Sequence, residues 1–355
     1  MAAALFRREE VNSVYSLPHR WRLLARFTIG LLVGALALWW IGRGLDWSLV
    51  LQTLTGVHLG WVAVSVIGVV VVALAKTVRW RVLYPVTGQK PSFGTLFSGL
   101  MAAQAINLII PIRLGELVRL GWMKQAGQSG AVTLSTILVE KAIDLLAAGL
   151  MVIALVALAV APDWLHSQAS RLALISLTLV VSLALVWRLR GWLEQWLAHA
   201  PGRAGWLPAR WRERLIRMAH TLLAAWGPLS DQHALSSALG WTIVVWLLSL
   251  LTILALFAAF DLRLPIAAAV LIMLAVGSSN IVPSPPGLVG VMHLIAVVVL
   301  GQYGVAQPVA VGFGTVLNVV TVAPLLILGT CALWSHAVSA VTWLRRHSME
   351  ELWAD

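Results

Sequence analysis

The sequence predicts an all-α integral membrane protein. It should have about six transmembrane helices plus two re-entrant hairpins broken by proline and glycine, in two inverted-topology repeats. Three observations lead there. Hydrophobic residues make up 60% of the 355 and charged residues only 11%, against roughly 25% charged in a soluble domain. Apolar runs recur at lengths close to the ~20 residues that cross a bilayer as helix. Most of the 25 lysines and arginines fall in segments that alternate with those runs, so that they gather on one side.

Taken in order, residues 1–22 form a basic N-terminus and residues 23–187 a first membrane half. Leu23 to Ile41 follows basic residues as a signal peptide would, but it ends in Trp39-Trp40-Ile41-Gly42-Arg43 with no small-residue cleavage site. It reads as a retained first span. Leu59 to Ala75, Gly130 to Ala161 and Leu172 to Trp187 are further spans. Residues 188–234 make a basic linker, in which Arg210, Arg214 and Arg217 share one helical face and Leu215, Met218 and Leu222 another. A helix lying on anionic headgroups fits this pattern, and so does a solvated basic linker. The second half, 235–334, holds the spans Ser236 to Phe260 and Pro308 to Trp334, and residues 335–355 form a tail.

Two apolar stretches, Phe93 to Ile110 and Leu264 to Val282, run into prolines instead of a charged flank. Basic groups stand on both sides of the first (Lys76 to Lys90, then Arg113 to Lys124). Both can lie inside only if the chain dips in and returns, which makes residues 93–125 a re-entrant hairpin. A helix from Phe93 to Ala105 would reach roughly 20 Å, past the middle of a ~30 Å hydrocarbon core, with its tip at Ile106 to Gly115. Residues 264–303 form the second hairpin, entering from the other side after Arg263. Starts at residues 59, 93 and 130 recur at 236, 264 and 308, and the crossings between them reverse the second unit. Both termini are then cytoplasmic.

The formal net charge of +11 is therefore a topology signal and not a nucleic-acid footprint. Many of the 19 tryptophans fall near span ends (Trp21, Trp39, Trp40, Trp47, Trp61, Trp80, Trp164, Trp187, Trp334, Trp343), as an interfacial belt requires. Cys331 is the single cysteine, which excludes a disulfide within the chain and reads as a small buried hydrophobe. The histidines lack metal-ligand spacing, and there is no Gly-Lys-Ser phosphate loop or Gly-x-Ser-x-Gly elbow. No metal, cofactor or enzymatic activity is expected.

Three motifs carry chemistry. The first is Asn107-Leu-Ile-Ile-Pro111-Ile-Arg113-Leu-Gly115-Glu116-Leu-Val-Arg119. Pro111 breaks the helix and Gly115 permits close backbone approach. Open backbone at membrane depth is tolerable only inside protein or beside a water-filled cavity. Arg113 and Arg119 offer planar forks for a phosphate, while Glu116 either balances their charge or pairs with Arg113 to staple the tip. The second is Glu140-Lys141-Ala-Ile-Asp144, deep in a span. Its carboxylates share a face, and Lys141 can pair with Asp144. The group serves as a charge relay or as structural pairing to Arg113, Arg119 or Lys141. The third is Asn280 followed by Pro283-Ser-Pro285-Pro286-Gly287-Leu-Val-Gly290-Val-Met-His293. It breaks the second hairpin and adds His293, a pH-responsive contact or a hydrogen-bonded structural histidine. Asn107, Arg113, Glu116, Arg119, Asn280 and His293 are the candidate substrate-binding residues.

Together these stretches resemble the flippase-like family named for the membrane region of lysylphosphatidylglycerol synthetase. The resemblance rests on Pro111-x-Arg113-x-Gly115-Glu116-x-x-Arg119, Glu140-Lys141-x-x-Asp144 and the run from Pro283 to Gly290, and it extends roughly from Leu23 to Trp334. The family usually has Arg at Lys141, Glu at His293 and Gly at Pro286, so carboxylate chemistry does not carry over to position 293. The resemblance implies moving or presenting a polar anionic lipid, a phospholipid or polyprenyl-linked lipid, across a bacterial inner membrane. The chain ends at Asp355 without a soluble aminoacyl-transfer domain, so it is not expected to make the aminoacyl lipid. Membrane lipids are the expected partners. A secondary transporter of a soluble anion, a lipid-linked transferase, and a non-transporting partner of a lipid-modifying enzyme or glycosyltransferase are the alternatives.

Overall fold

The computed structural model describes residues 34–43, 45–85, 90–110, 114–157, 232–279 and 285–346, with isolated helical positions at 28, 32 and 178, and side chains up to 336. The N-terminal segment 1–22, most of the expected span Leu172 to Trp187 and the linker through residue 231 lie outside the described residues. The described residues form helices and no strand. They comprise α1 (34–42), α2 (Trp47–Thr55), α3 (Leu59–Val82), α4 (Phe93–Ile109) and α5 (Gly115–Gln125). After these come α6 (Gly130–Ala157), α7 (Gln232–Ala259), α8 (Ile266–Ser279), a 3-10 turn at Pro286–Leu288, α9 (Val291–Gly301) and α10 (Gln307–Arg346).

Among the described residues, three stretches are long and apolar enough to cross a membrane: Leu59–Val82, His233–Ala259 and Gln307–His336. With their 24, 27 and 30 residues they extend roughly 36 to 45 Å at ~1.5 Å per residue. The helix α6 matches them in length but carries Glu140, Lys141 and Asp144. Ile243, Leu247 and Leu251 of α7 fall on one outward face, as do Val64, Ile67, Val71 and Leu74 of α3. Such stripes suit hydrocarbon, where no polar backbone group is left unmet along a helix. Trp39, Trp40, Trp47, Trp61 and Trp334 are exposed as an interfacial belt requires.

The long helices α3 and α7 lie side by side and run antiparallel. The His58 N–H donates to the Ala259 carbonyl at 2.9 Å, Ser65 Oγ to the Thr252 carbonyl at 3.2 Å, and Arg79 Nη1 to Thr242 Oγ1 at 3.3 Å. Gly68 makes the closest approach possible, since a Cβ there would stand 2.5 Å from Thr252 Oγ1. Each half has its own core. Leu256, Ile272, Met292, Leu300 and Phe313 gather α7 to α10, while Trp80, Tyr84, Leu96, Met101, Met123 and Ile137 gather α3 to α6. The helix α10 bridges them, pressing Gly329 against Ala105 and the Met101 carbonyl of α4.

Both interrupted stretches are helix–break–helix units whose limbs pack together. The first limb runs to Ile109, beyond the expected Ala105, because the Ile110 N–H still reaches the Ile106 carbonyl at 2.8 Å. Ile110 then turns extended (φ −104°, ψ 121°), the conformation that a following proline imposes. In the second unit the chain turns at Gly287 (φ 66°), Leu288 (φ 56°) and Gly290 (φ 86°). Leu288 adopts at some strain what its glycine neighbours adopt freely. This turn packs against α4 of the first unit, so the two broken segments meet. The order long helix, broken pair, long helix thus occurs twice, as α3 to α6 and as α7 to α10.

Candidate functional site

Six charged residues of the first half are assembled into one ladder. Arg79, in the last turn of α3, is completely buried. Its fork grips Asp144 through Nη1 to Oδ1 at 2.5 Å and Nη2 to Oδ2 at 3.0 Å. The same Nη2 reaches Glu140 Oε1 at 3.3 Å. The other oxygen of Glu140 accepts from Arg119 Nη2 at 2.6 Å. Arg119 Nη1 then reaches Glu116 Oε2 at 3.2 Å, and Glu116 Oε1 pairs with Lys141 Nζ at 2.9 Å. The order is Asp144, Arg79, Glu140, Arg119, Glu116, Lys141, with signs alternating along it.

Burying such charges costs several kcal/mol per ion unless they are paired and hydrogen-bonded, and here each carboxylate meets two cations or a fork. The support is equally specific. The Arg119 guanidinium lies 3.8 Å above the Trp80 ring, a cation–π contact. Trp80 is held by Nε1 donating to Thr136 Oγ1 at 2.9 Å, and Tyr84 shares a hydrogen bond with Thr133 at 3.1 Å. The three cations Arg79, Arg119 and Lys141 match the three carboxylates Glu116, Glu140 and Asp144 in number. Two donors inside the cluster, Arg79 Nε and Arg119 Nε, are buried with no partner.

Arg79 and Glu140 in the middle of the ladder are buried and Asp144 at one end is 32% exposed, while the other end is the more open, with Glu116 34% exposed and Lys141 56%. Lys141 stands on one face of α6 with Leu134, Leu138 and Leu145, all exposed, at the i, i+4, i+7, i+11 spacing of a single helical stripe. Leu117 beside Glu116 is exposed as well. The open end of the ladder therefore borders an apolar surface.

At the head of α5, Asn107 Oδ1 accepts from the Gly115 N–H at 2.8 Å. That bond meets one of the unsatisfied donors of a helix N-terminus. A side chain at 115 would collide with the Asn107 amide and stand 2.5 Å from the Ala103 carbonyl. Asn107, expected to face substrate, has its amide oxygen engaged in closing the hairpin. In the second hairpin Asn318 Nδ2 donates to the Gly287 carbonyl at 2.7 Å. His293 Nε2 meets Thr315 Oγ1 at 3.1 Å. Because Thr315 donates its own hydrogen to the Val311 carbonyl, His293 is the donor, leaving buried Nδ1 with a lone pair and no partner. Gly290 faces α1 closely enough that a Cβ would lie 2.7 Å from the Gly34 carbonyl oxygen, and Pro285 packs on the same glycine.

Glu116, Arg119, Glu140, Lys141 and Asp144 are thus brought together, while Asn107, Pro285, Pro286, Gly287, Gly290 and His293 shape the two turns. Pro111, Arg113, Asn280 and Pro283 lie outside the described residues. Two expectations change. Lys141 pairs with Glu116 and not with Asp144, which Arg79 holds. Trp80 belongs to the core beneath Arg119 and not to the interfacial belt. Sequence reasoning missed Arg79, counted among the basic flank of α3, and Thr242 on α7. A shallow pocket of about 340 Å³ between Trp61, Phe257, Asp261 and Arg263 sits at the far end of α3 and shares no residue with the ladder.

Compared with known proteins, the chain matches the family model described as Lysylphosphatidylglycerol synthase TM region over residues 27–329. No curated protein matches it.

Proposed function

Because the chain belongs to the lysylphosphatidylglycerol synthase transmembrane-region family, a family of lipid-related membrane domains, we propose that it is a flippase-like protein that translocates or presents a polar anionic lipid. The observation that carries this reading is the ladder's open end, where Lys141 and Glu116 border exposed Leu134, Leu138 and Leu145. A headgroup phosphate would sit at the charges while the tails stay along the leucines. A soluble anion would have no use for that apolar border.

The antiparallel packing of α3 on α7 and the meeting of the two broken segments support two inverted repeats with a site between re-entrant hairpins. Arg113, at the break of the first hairpin, would add a second phosphate contact. His293 and Asn280 would line the opposite tip. The protein acts without covalent chemistry in this reading, in a bacterial inner membrane with both termini cytoplasmic.

The test is lipid scrambling by the full chain in liposomes, with labelled phosphatidylglycerol, a polyprenyl phosphate and phosphatidylcholine. Translocation selective for the anionic lipids, and lost in Arg113→Ala and Lys141→Gln with insertion intact, is the expected result. Absence of translocation of any lipid by correctly inserted protein would overturn the reading.

A further inference from the structure

We infer that the Glu116 carboxylate is an internal stand-in for the ligand's phosphate, occupying an anion cradle formed by Arg119 and Lys141 that the ligand takes over when it binds. The inference rests on the anionic-lipid reading above and names the atoms that would receive the headgroup.

The geometry distinguishes Glu116 from the other two carboxylates. Glu140 and Asp144 are clamped by Arg79, whose fork is wholly buried. Glu116 instead spans two cations from different helices, one oxygen 3.2 Å from Arg119 Nη1 and the other 2.9 Å from Lys141 Nζ. Two oxygens of one anion bridging a guanidinium and an ammonium is the contact a phosphate makes with the same pair. Arg119 cannot follow Glu116 if it leaves. Its other terminal nitrogen is fixed to Glu140 at 2.6 Å and its plane rests on Trp80. Glu116 can leave, because its side chain is a third exposed and it stands in the first turn of α5, next to the break.

Charge balance fits the exchange. While Glu116 sits in the cradle the ladder's charges are paired at every step. When Glu116 swings out, one negative charge leaves and the phosphate brings one in, so the buried part stays compensated throughout.

The experiment is equilibrium binding to the full chain in phosphatidylcholine nanodiscs. Labelled phosphatidylglycerol is the probe in one arm and inorganic phosphate in a second. Glu116→Gln removes the competing charge and keeps the shape, and should bind phosphatidylglycerol about tenfold more tightly, the effect of losing one charge-assisted contact. Glu116→Asp keeps the charge but shortens the arm, so that it no longer bridges both cations. It should lie between wild type and Glu116→Gln, and it serves if Glu116→Gln fails to fold. Lys141→Gln should weaken binding in both the wild-type and Glu116→Gln backgrounds. A tightening shared equally by inorganic phosphate identifies the phosphate group alone as ligand, whereas a tightening confined to phosphatidylglycerol identifies the lipid. Unchanged or weaker binding in both Glu116 variants overturns the proposal, since a merely structural pair gives no gain in affinity when broken. Tightening without any lipid translocation sinks the flippase reading and leaves this one standing. Translocation with affinity indifferent to Glu116 does the reverse.

Discussion

Replacing Arg79 by methionine removes the ladder cation that holds Asp144 while keeping most of the side chain's bulk. In the native protein its fork makes two bonds to Asp144, a third to Glu140 and a fourth to Thr242. Glu140 keeps Arg119 after the change, but Asp144 loses the partner it has among the ladder's cations. Removing one member of a buried ion pair costs about 3–5 kcal/mol, because the charge left behind stays desolvated. Asp144 is 32% exposed, which places the cost toward the lower end. The apparent melting temperature in detergent should fall by on the order of 10 °C. Arg79→Lys keeps the charge but cannot fork, and should lie between the two. The discriminating variant is Arg79→Met with Asp144→Asn. It removes the stranded charge, so the double change should be milder than the sum of the single ones by about 0.5–3 kcal/mol. Additivity of the two, or an Arg79→Met protein as stable as wild type, would refute the claim that the ladder is a coupled buried network.

Gly115→Ala should lower stability by about 1–3 kcal/mol, the cost of overpacking, and expose the hairpin break to limited proteolysis, since the added methyl meets the Ala103 carbonyl and Asn107. Gly290→Ala should be worse tolerated than Gly301→Ala in the same melting assay. The first forces a left-handed backbone and a clash with Gly34, whereas the second meets nothing. At the start of α2 the side-chain and backbone hydrogen bonds from Ser48 hold the exposed Asp46 carboxyl below its ordinary value. A depressed folded-state value means the cap contributes above the unfolded value of about 3.9 and is lost as pH falls through the lower folded one. Hydrogen exchange at the Ser48 amide should therefore lose protection only in strong acid, whereas in Asp46→Asn, which does not titrate, protection should already be reduced at neutral pH and unaffected by acid if the charge rather than the shape sustains the cap.

The fold was legible where composition and chemistry act locally. Apolar runs located α3, α7 and α10, and Pro111 with Gly115 located the first break to within a turn. The break's edge was misjudged because helical hydrogen bonding persists up to the residue before proline, which hydropathy does not register. The site was half legible. Carboxylates four apart in an apolar helix announce a need for cations, and Arg119 was named as one of them. Arg79 was not, because Lys76, Arg79 and Arg81 together read as a basic flank. Arg81 is exposed and Arg79 buried, a difference set by which face of α3 meets α6. One local clue was available. Lys141, an i,i+3 neighbour of Asp144, can serve at most one of the two carboxylates, so a further cation from another helix was required.

The two halves repeat an order of helices but not a chemistry, and the difference bears on mechanism. The broken pair of the first half lies against an alternating chain of full charges. The broken pair of the second is pinned by neutral contacts, Asn318 to Gly287 and His293 to Thr315. A rigid-body exchange between equivalent halves would ask both to hold the ligand equally. Under the proposed function, this distribution assigns phosphate binding to the first half and movement to the second, with the close glycine contact between Gly34 and Gly290 as the hinge. Under that division Gly34→Val should impair translocation while leaving phosphatidylglycerol affinity near wild type, and Lys141→Gln should impair both. Equal loss of affinity in the two variants would show that binding is shared between the halves, and the division of labour would fall.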